Sequence, residues 1–208
     1  MSTSTATTAL MDIDKLKKYS PFYAGAGVVG VALPDGSAYH FYTAKCPRLI
    51  DDLHSHKRSY TSTVIRGTVR NHLYAIKSLG KVGGLMLVNT DCELLCGKGG
   101  CAASRVVQRN IDVVKIGEEI TNQGESYSRN YYDFHKFELV SEGPVITYMQ
   151  FKPIEQNVTQ IIVSEDYLTN KCCPQNPTED ELWEMVQSTL TVETASFEYE
   201  VLDGKFVS

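Results

Sequence analysis

The feature that most constrains the fold is a series of short runs of β-branched and aromatic residues, separated by turn residues. Valine, isoleucine, threonine and tyrosine number 19, 11, 17 and 12, against 27 alanines and leucines together, a balance that favours pleated strands. The pattern predicts an all-β sandwich or barrel with short peripheral helices. The runs are VVGVAL (28–33), AYHFYTA (38–44), SYTSTVIRG (59–67), TVRNHLYAIK (68–77), VVQRNIDVVKI (106–116), ESYSRNYYDFHKFEL (125–139), VITYMQF (145–151) and IIV (161–163).

Turn residues link several of these runs. The pair Asp35-Gly36 stands between the first two runs and predicts a hairpin. Gly67 predicts a tight link between strands 59–67 and 68–77. Both of these strands alternate in hydrophobicity, so each is expected to turn one face inward.

Two helices are predicted at the edges of the domain. The first covers 12–19 and ends before Pro21, because the residue preceding a proline is disfavoured in a helix. The second covers about 178–190, where Thr178 and Glu181 form a capping box in front of apolar residues at helical spacing.

The remaining stretches do not alternate clearly. We predict a polar connection at 46–57, an irregular or loosely stranded excursion at 79–104 and a terminal strand pair at 197–207. Residues 1–11 are expected to be a disordered tail, and 12–208 a single domain.

Charge and hydropathy argue against two classes of partner. The net charge is −5, so the chain has no basic field for a phosphate backbone, and we expect no nucleic acid partner. No apolar stretch approaches the roughly 20 residues of a spanning helix, and the first residues lack the pattern of a signal peptide. We therefore expect a cytoplasmic protein without a membrane partner.

The cysteines leave three interpretations open. Cys92, Cys96 and Cys101 are closely spaced thiols that could bind zinc, with a fourth ligand from Cys46 or from the pair at 172 and 173. Alternatively, they are free or packed thiols, as is usual in a reducing compartment, or they carry redox chemistry.

Three of the five histidines have an informative spacing. His54 and His56 are two residues apart, so in an extended segment both side chains point to the same face. His135 lies in a second strand-like segment and could complete a set of three neutral imidazoles, which suits a divalent transition metal. The alternative is that the pair consists of polar loop residues.

The spacing around these histidines resembles the cupin superfamily, also described as the RmlC-like jelly roll. His54-x-His56 followed after ten residues by Gly67 is similar to the first cupin motif, and Gly124 followed after ten residues by His135 is similar to the second. The resemblance covers about residues 39–151. It implies a double-stranded β-helix in which the three histidines bind a metal.

The sequence departs from the family at one ligand. The glutamate that usually completes the site falls at Tyr60, and no carboxylate is nearby in that strand. A site of three histidines without the acid is similar to that of cysteine dioxygenase-type thiol dioxygenases. This resemblance implies iron(II), with zinc, nickel or manganese as alternatives, and an anionic substrate such as a thiolate.

Four further residues are candidates for catalysis or substrate binding. Tyr60 could hydrogen-bond a bound species, and His72 could contact the substrate or support the metal ligands. Arg66 and Arg70 could hold a carboxylate or phosphate. Alternatively, His72 is an ordinary histidine of the sheet, and Arg66 and Arg70 are surface residues. Aromatic residues around His135 could line a ligand cavity or fill the core: Tyr127, Tyr131, Tyr132, Phe134 and Phe137.

We expect a metal-binding enzyme acting on a small polar or anionic metabolite, most concretely an iron(II)-dependent dioxygenase. One alternative is a sugar-nucleotide epimerase or isomerase, in which Asp133 and a histidine would form an acid–base pair. Another is a small-molecule binding module without catalysis. The resemblance also implies a homodimer formed through edge strands.

Overall fold

The computed structural model describes residues 13–79, 84–90, 105–164 and 177–191. The predicted N-terminal tail, the terminal strand pair and all cysteines except Cys46 lie outside the described residues. In chain order the elements are α1 (Ile13–Leu16), β1 (Pro21–Gly25), β2 (Val28–Ala32), β3 (Ala38–Tyr42), β4 (Leu49–His54), β5 (Tyr60–Arg66), β6 (Thr68–Leu79), β7 (Leu85–Thr90), β8 (Arg105–Asn122), β9 (Ser126–Arg129), β10 (Phe134–Leu139), β11 (Val145–Phe151), β12 (Thr159–Ser164) and α2 (Glu179–Thr191).

The strands form two antiparallel sheets. The first has the order β1-β2-β3-β11-β5-β9. The second has the order β10-β4-β12-β7-β8-β6 and closes on itself, because β6 also pairs with β10. From β3 onward the chain crosses repeatedly between the sheets, and β6, β7 and β8 stay in the second.

This strand order is that of a jelly roll. Four neighbouring strands of the first sheet, β3-β11-β5-β9, face four of the second, β4-β10-β6-β8. Such a double-sheet arrangement of eight strands is the jelly-roll architecture. The predicted all-β double-stranded β-helix with short peripheral helices is therefore confirmed, with β1, β2, β7 and β12 as additions.

Several element predictions were incomplete or wrong. β4 lies within the stretch predicted to be a polar connection, and β7 within the one predicted to be irregular or loosely stranded. The two aspartates of LIDDLH hide the alternation in β4, and cross-strand pairing overrides this weak local signal. β8 extends beyond the run predicted at 106–116, because Gly117 lies inside the strand and pairs with Leu73.

Gly67 occupies the tight link predicted for it. Its φ is +85°, in the left-handed region that favours glycine. A Cβ at this position would lie 2.6 Å from Oγ of Ser141, so a larger residue would clash there. The link turns the chain from β5 in the first sheet directly into β6 in the second.

The outer face of the first sheet is covered by the two helices. α2 begins with the predicted capping box: the amide of Thr178 donates to Oε2 of Glu181 at 2.7 Å, and the amide of Glu181 donates to Oγ1 of Thr178 at 3.3 Å. Its apolar face packs against β2, β3 and β11. This cluster consists of Leu16, Val29, Val31, Phe41, Ile146, Leu182, Trp183, Met185 and Val186.

The inner faces of the two sheets enclose a second core and a cavity. Alternation along the strands sends Phe41 outward to α2 while Tyr42 points inward to the space between the sheets. In the second sheet, Leu53 and Phe134 pack on the face opposite His54. None of the helices in the described part of the chain is long and apolar enough to cross a membrane.

Candidate metal centre

A cavity of about 420 Å³ lies between the two sheets. A volume of this size is within the range of small-molecule sites. Its walls are mainly aromatic and aliphatic, and its polar lining includes four histidines and one arginine. The lining residues that matter below are Phe22, His40, His54, His56, Arg58, Tyr60, Tyr127, His135 and Phe151.

Three of the lining histidines converge on one point, as their spacing predicted. His54 ends β4 and lies directly across from His135 of β10 in the ladder between the two strands. His56 follows two residues later and points to the same side. The ring centroids of the three lie 4.7, 5.0 and 5.1 Å apart, and the possible ligand nitrogens all lie within 4.8 Å of one another.

Hydrogen bonds fix which nitrogen two of these rings present. Nδ1 of His54 lies 2.8 Å from the carbonyl oxygen of Asp52, and Nδ1 of His135 lies 2.8 Å from Oδ1 of Asn71. Because both oxygens are acceptors, each Nδ1 carries the proton and donates it. The lone pair of each ring is therefore on Nε2, the arrangement typical of metal-binding histidines.

The third ring completes the cluster through a hydrogen bond between histidines. Nε2 of His56 lies 2.8 Å from Nε2 of His135. Since Nε2 of His135 holds a lone pair, His56 is the donor in this contact. Metal binding would require this one proton to leave Nε2 of His56, so the three residues fit a divalent ion after a single tautomer change.

The segment that carries His56 is held in place from both sides. The amide of His56 donates to the carbonyl of Tyr131 at 3.1 Å, and the side-chain amide of Gln156 donates to the carbonyl of His56 at 2.6 Å. Ser55 exchanges backbone and side-chain hydrogen bonds with Gln160. These contacts position an imidazole that lies beyond the end of β4.

Burial keeps His56 and His135 neutral. The pKa of His56 and that of His135 are both lowered well below 6.5, first because the rings are removed from water and then because His54 lies beside them. Burial also lowers the pKa of His40 to about 4. Neutral imidazoles offer the lone pairs that a metal needs.

The lowered pKa values predict a loss of stability in mild acid. Between the folded pKa and 6.5, the unfolded chain binds more protons than the native state, so the free energy of unfolding falls as the pH drops below 6.5. His40, whose pKa falls to about 4, should contribute a loss of about 1 kcal/mol at pH 5.5 relative to pH 7.5, and His56 and His135 add to the loss in the same direction. Urea unfolding of metal-free protein at the two pH values measures this difference, and equal free energies would contradict it.

Asn71 is predicted to set the affinity of the site without touching the ion. Its side chain is 0% exposed and its Oδ1 accepts the Nδ1 proton of His135. Asn71→Ala removes this acceptor and should weaken binding of Co(II) or Zn(II) by about 10- to 100-fold, the usual effect of losing such a partner. Asn71→Asp keeps an acceptor and should retain the affinity.

A competition titration with a coloured chelator measures the effect. The matched control is Asn122→Ala, at the exposed end of β8, which should leave metal affinity unchanged. Equal affinities for wild type and Asn71→Ala would show that this hydrogen bond does not orient the imidazole.

Tyr60 lies in the cavity beside the histidine cluster. Its ring centroid is 4.8 Å from that of His56 in an edge-on contact, and the Tyr127 ring lies 6.2 Å away. Burial, reinforced by Tyr127, raises the pKa of the Tyr60 hydroxyl well above 10. Tyr60 is therefore a neutral hydrogen-bond donor where the related motif has an anionic ligand.

The other predicted catalytic residues lie elsewhere. The side chains of His72 and Arg70 both contact Oε2 of Glu138 at 3.0 Å, and His72 also lies 3.7 Å from Glu118. Neither residue lines the cavity, and Arg66 does not line it either. The structure thus places these three side chains apart from the histidine cluster, and a catalytic role for them stays a prediction.

The predicted aromatic cluster divides between different surroundings. Tyr127 and Phe137 line the cavity, whereas Phe134 packs on the opposite face of the second sheet. Tyr132 is 60% exposed. Asp133, the carboxylate considered for an epimerase mechanism, accepts hydrogen bonds from the amide and side chain of Asn130 and so stabilises a turn.

Cys46, the described member of the predicted zinc set, is a packed thiol. It is buried in the core between the sheets, and burial raises its pKa to about 12. Such a thiol is uncharged at neutral pH and is a poor metal ligand. The other cysteines of the proposed set lie outside the described residues.

Three functional candidates were missed by the sequence analysis. Asn71 is one of several polar residues in an alternating strand, and its contact with His135 comes from cross-strand register. Arg58 and His40 line the cavity but belong to no motif. For Arg58 a signal was present, because it continues the two-residue alternation of His54 and His56.

The strand order and the cavity define an all-β jelly-roll protein with a three-histidine cluster between its sheets. No family model matches the sequence, and no curated protein matches it. The class assignment therefore comes from the strand order and the site geometry.

Solved structures similar to this chain include several enzymes. Hydroquinone 1,2-dioxygenase PnpCD has 14% identity and a TM-score of 0.33, over 69% of this chain and 73% of that one. Oxalate decarboxylase of Lactobacillus farciminis has 14% identity and a TM-score of 0.36, over 76% and 37%. Drosophila melanogaster CENP-C has 7% identity and a TM-score of 0.38, over 63% and 75%. All three TM-scores are below 0.5, and no function is inferred from them.

Proposed function

We propose that this protein binds one iron(II) ion through His54, His56 and His135 and oxidises a small anionic molecule with dioxygen, in the manner of a thiol dioxygenase. The observation that carries the proposal is the convergence of three imidazoles at the wall of the cavity between the sheets. Two of them are already oriented by protein acceptors. A divalent transition metal is the ligand that such a donor set suits best.

The absence of an acidic ligand supports an anionic substrate. Among the described residues that line the cavity, none is an aspartate or glutamate. Three neutral ligands leave the full charge of a divalent ion uncompensated, so an anion such as a thiolate is favoured at the site. The overall reaction, RS⁻ + O₂ → RSO₂⁻, balances without a further reductant and yields a sulfinate.

The chain's own residues would prepare the site. Bound iron would supply Lewis acidity and one-electron chemistry. The Asp52 carbonyl and Asn71 hold two imidazoles in place, and Tyr60 keeps its proton and can donate a hydrogen bond into the cavity. The aromatic walls would limit the access of water to the reacting groups.

Two measurements test the proposal. Anaerobic loading with iron(II) should give one equivalent per chain, and addition of air with 3-mercaptopropionate or cysteine should consume one dioxygen per sulfinate formed. Metal content below about a tenth of an equivalent would refute the metal site. Full loading without oxygen uptake with either thiol would refute the thiol-dioxygenase reaction and leave the metal site standing.

A further inference from the structure

We propose that Arg58 binds the anionic group of the ligand, and that this ligand is a small monoanion with a flat apolar body, such as an aromatic carboxylate. To be the substrate of the proposed function, this ligand must also carry a thiol that loses its proton only on the metal, so that part of the inference depends on the proposed function. The anion-binding role of Arg58 does not depend on it, because this role needs no metal.

Arg58 is distinguished by its charge. Among the described residues that line the cavity, Arg58 is the only arginine, and none of the others is a lysine, aspartate or glutamate. The other ionisable lining groups are histidines and tyrosines. In the metal-free protein the cavity therefore offers a single permanent positive charge, which matches a ligand with a single negative charge.

The guanidinium of Arg58 has no carboxylate partner within the described chain. Its described contact is with the ring of Phe151, whose centroid lies 4.8 Å from Cζ. Its Nε is buried and makes no hydrogen bond there. The side chain as a whole is half-buried at the cavity wall. A partly buried cation without a carboxylate beside it attracts an anion, so this group is suited to an anion that the protein does not provide.

The neighbouring Arg129 shows the contrast. Its side chain is 6% exposed and lies next to the same aromatic wall, over the ring of Tyr127. Its guanidinium donates to Oε2 of Glu119 and to the carbonyl of Ser128, each at 2.6 Å. Arg129 thus has a carboxylate partner, whereas Arg58 has none among the described residues.

The backbone around Arg58 is rigidly held. The amide of Glu155 donates to the carbonyl of Lys57 at 3.0 Å, and the amide of Ser59 donates to the carboxylate of Glu155 at 2.8 Å. The amide of Lys152 donates to the carbonyl of Ser59 at 2.9 Å. An arginine on such a segment binds an anion with little ordering cost, because its position is set in advance.

The cavity walls near Arg58 favour an aromatic ligand body. The His40 ring lies 6.1 Å from Phe22 and 6.5 Å from Phe151, so three flat rings follow one another along this wall. Burial lowers the pKa of His40 to about 4, so this ring is uncharged at neutral pH. The planes of neighbouring rings are inclined by 77° and 52°, so the wall offers both ring edges and ring faces, and an aromatic ligand ring can pack against either.

The test compares benzoate with its neutral analogue benzyl alcohol. Both are titrated into chelator-treated, metal-free protein by calorimetry, with hexanoate as a non-aromatic monoanion. We expect wild type to bind benzoate at least about 10-fold more tightly than benzyl alcohol, because a hydrogen bond to a charged group contributes this much or more. Hexanoate should bind more weakly than benzoate.

The variants assign the preference to Arg58. Arg58→Gln should weaken benzoate binding by about 10- to 100-fold and leave benzyl alcohol within about threefold, while Arg58→Lys should retain part of the preference. Arg48→Gln is the matched control, because Arg48 is exposed and bonds the carbonyl of Val140 outside the cavity. The midpoint temperature of thermal unfolding of Arg58→Gln should equal or exceed that of wild type, since the substitution removes a cation without a carboxylate partner.

Each outcome decides the inference. Undiminished benzoate binding by Arg58→Gln, equal binding of benzoate and benzyl alcohol, or no binding of benzoate at millimolar concentration would overturn it. Tighter binding of hexanoate than of benzoate would overturn the aromatic body. Iron loading of the same protein is measured separately: loading without benzoate selectivity refutes Arg58 alone, and selectivity without loading refutes the metal-dependent function alone.

Discussion

His135→Ala is expected to reduce the affinity for Co(II) or Fe(II) by more than about 100-fold, beyond the 10- to 100-fold expected for loss of an outer partner. His135 is at the centre of the cluster: it pairs across the sheet with His54, contacts His56 at 2.8 Å and is held by Asn71. Its removal leaves two imidazoles and an open space where the third donor stood.

The measurement is an anaerobic metal titration of the purified variant, with His72→Ala as the matched control. His72 is a sheet histidine that contacts Glu138 outside the cavity, so its removal should leave the metal affinity unchanged. Because removing a buried imidazole affects packing, unfolding of both metal-free variants is measured in parallel. Unchanged metal affinity of a folded His135→Ala protein would disprove the proposed ligand set.

Phe41→Ala is expected to lower the free energy of unfolding by about 3 to 5 kcal/mol, the usual cost of removing a buried phenylalanine ring. The Phe41 side chain is 0% exposed and packs between the first sheet and α2, in the cluster that includes Trp183 and Val186. The cavity left behind cannot fill, because β3 is paired with strands on both sides.

Urea unfolding of metal-free protein provides the measurement. Tyr132→Ala is the control: its side chain is 60% exposed, and we expect a change within about 0.5 kcal/mol. Phe41 faces away from the cavity, so the folded fraction of Phe41→Ala should bind metal as wild type does. A loss below about 1 kcal/mol would show that α2 contributes little to the stability of the sheet.

Phe41→Ala and His135→Ala test two different regions of the protein: the outer face of the first sheet and the cavity between the two sheets. The outer face packs against the helices and contributes stability, whereas the cavity between the sheets contains the proposed metal ligands. This division follows from strand alternation, which sends neighbouring side chains such as Phe41 and Tyr42 to opposite faces. Stability and metal binding are therefore expected to respond to different substitutions.

Much of the fold followed from local pattern. The runs of β-branched and aromatic residues predicted most of the strands, Gly67 marked a link that needs a positive φ, and the capping box marked the start of α2. Such signals are local because a strand's alternation, a turn's dihedral angle and a helix cap each involve residues close in sequence. β4 was missed, and β7 was given no bounds within its irregular or loosely stranded stretch, because their pairing partners, rather than their own residues, make them strands.

The candidate site was likewise predicted only in part from the sequence. By itself the sequence determined that His54 and His56 share a face and that His135 follows Gly124 at a suggestive spacing. Only the tertiary structure decided that the three rings meet, that Asn71 holds one of them and that Arg58 faces the cavity without a carboxylate. The physical reason is that the period of a strand sets the direction of a side chain, whereas strand order and register, formed by residues far apart in the chain, set its neighbours.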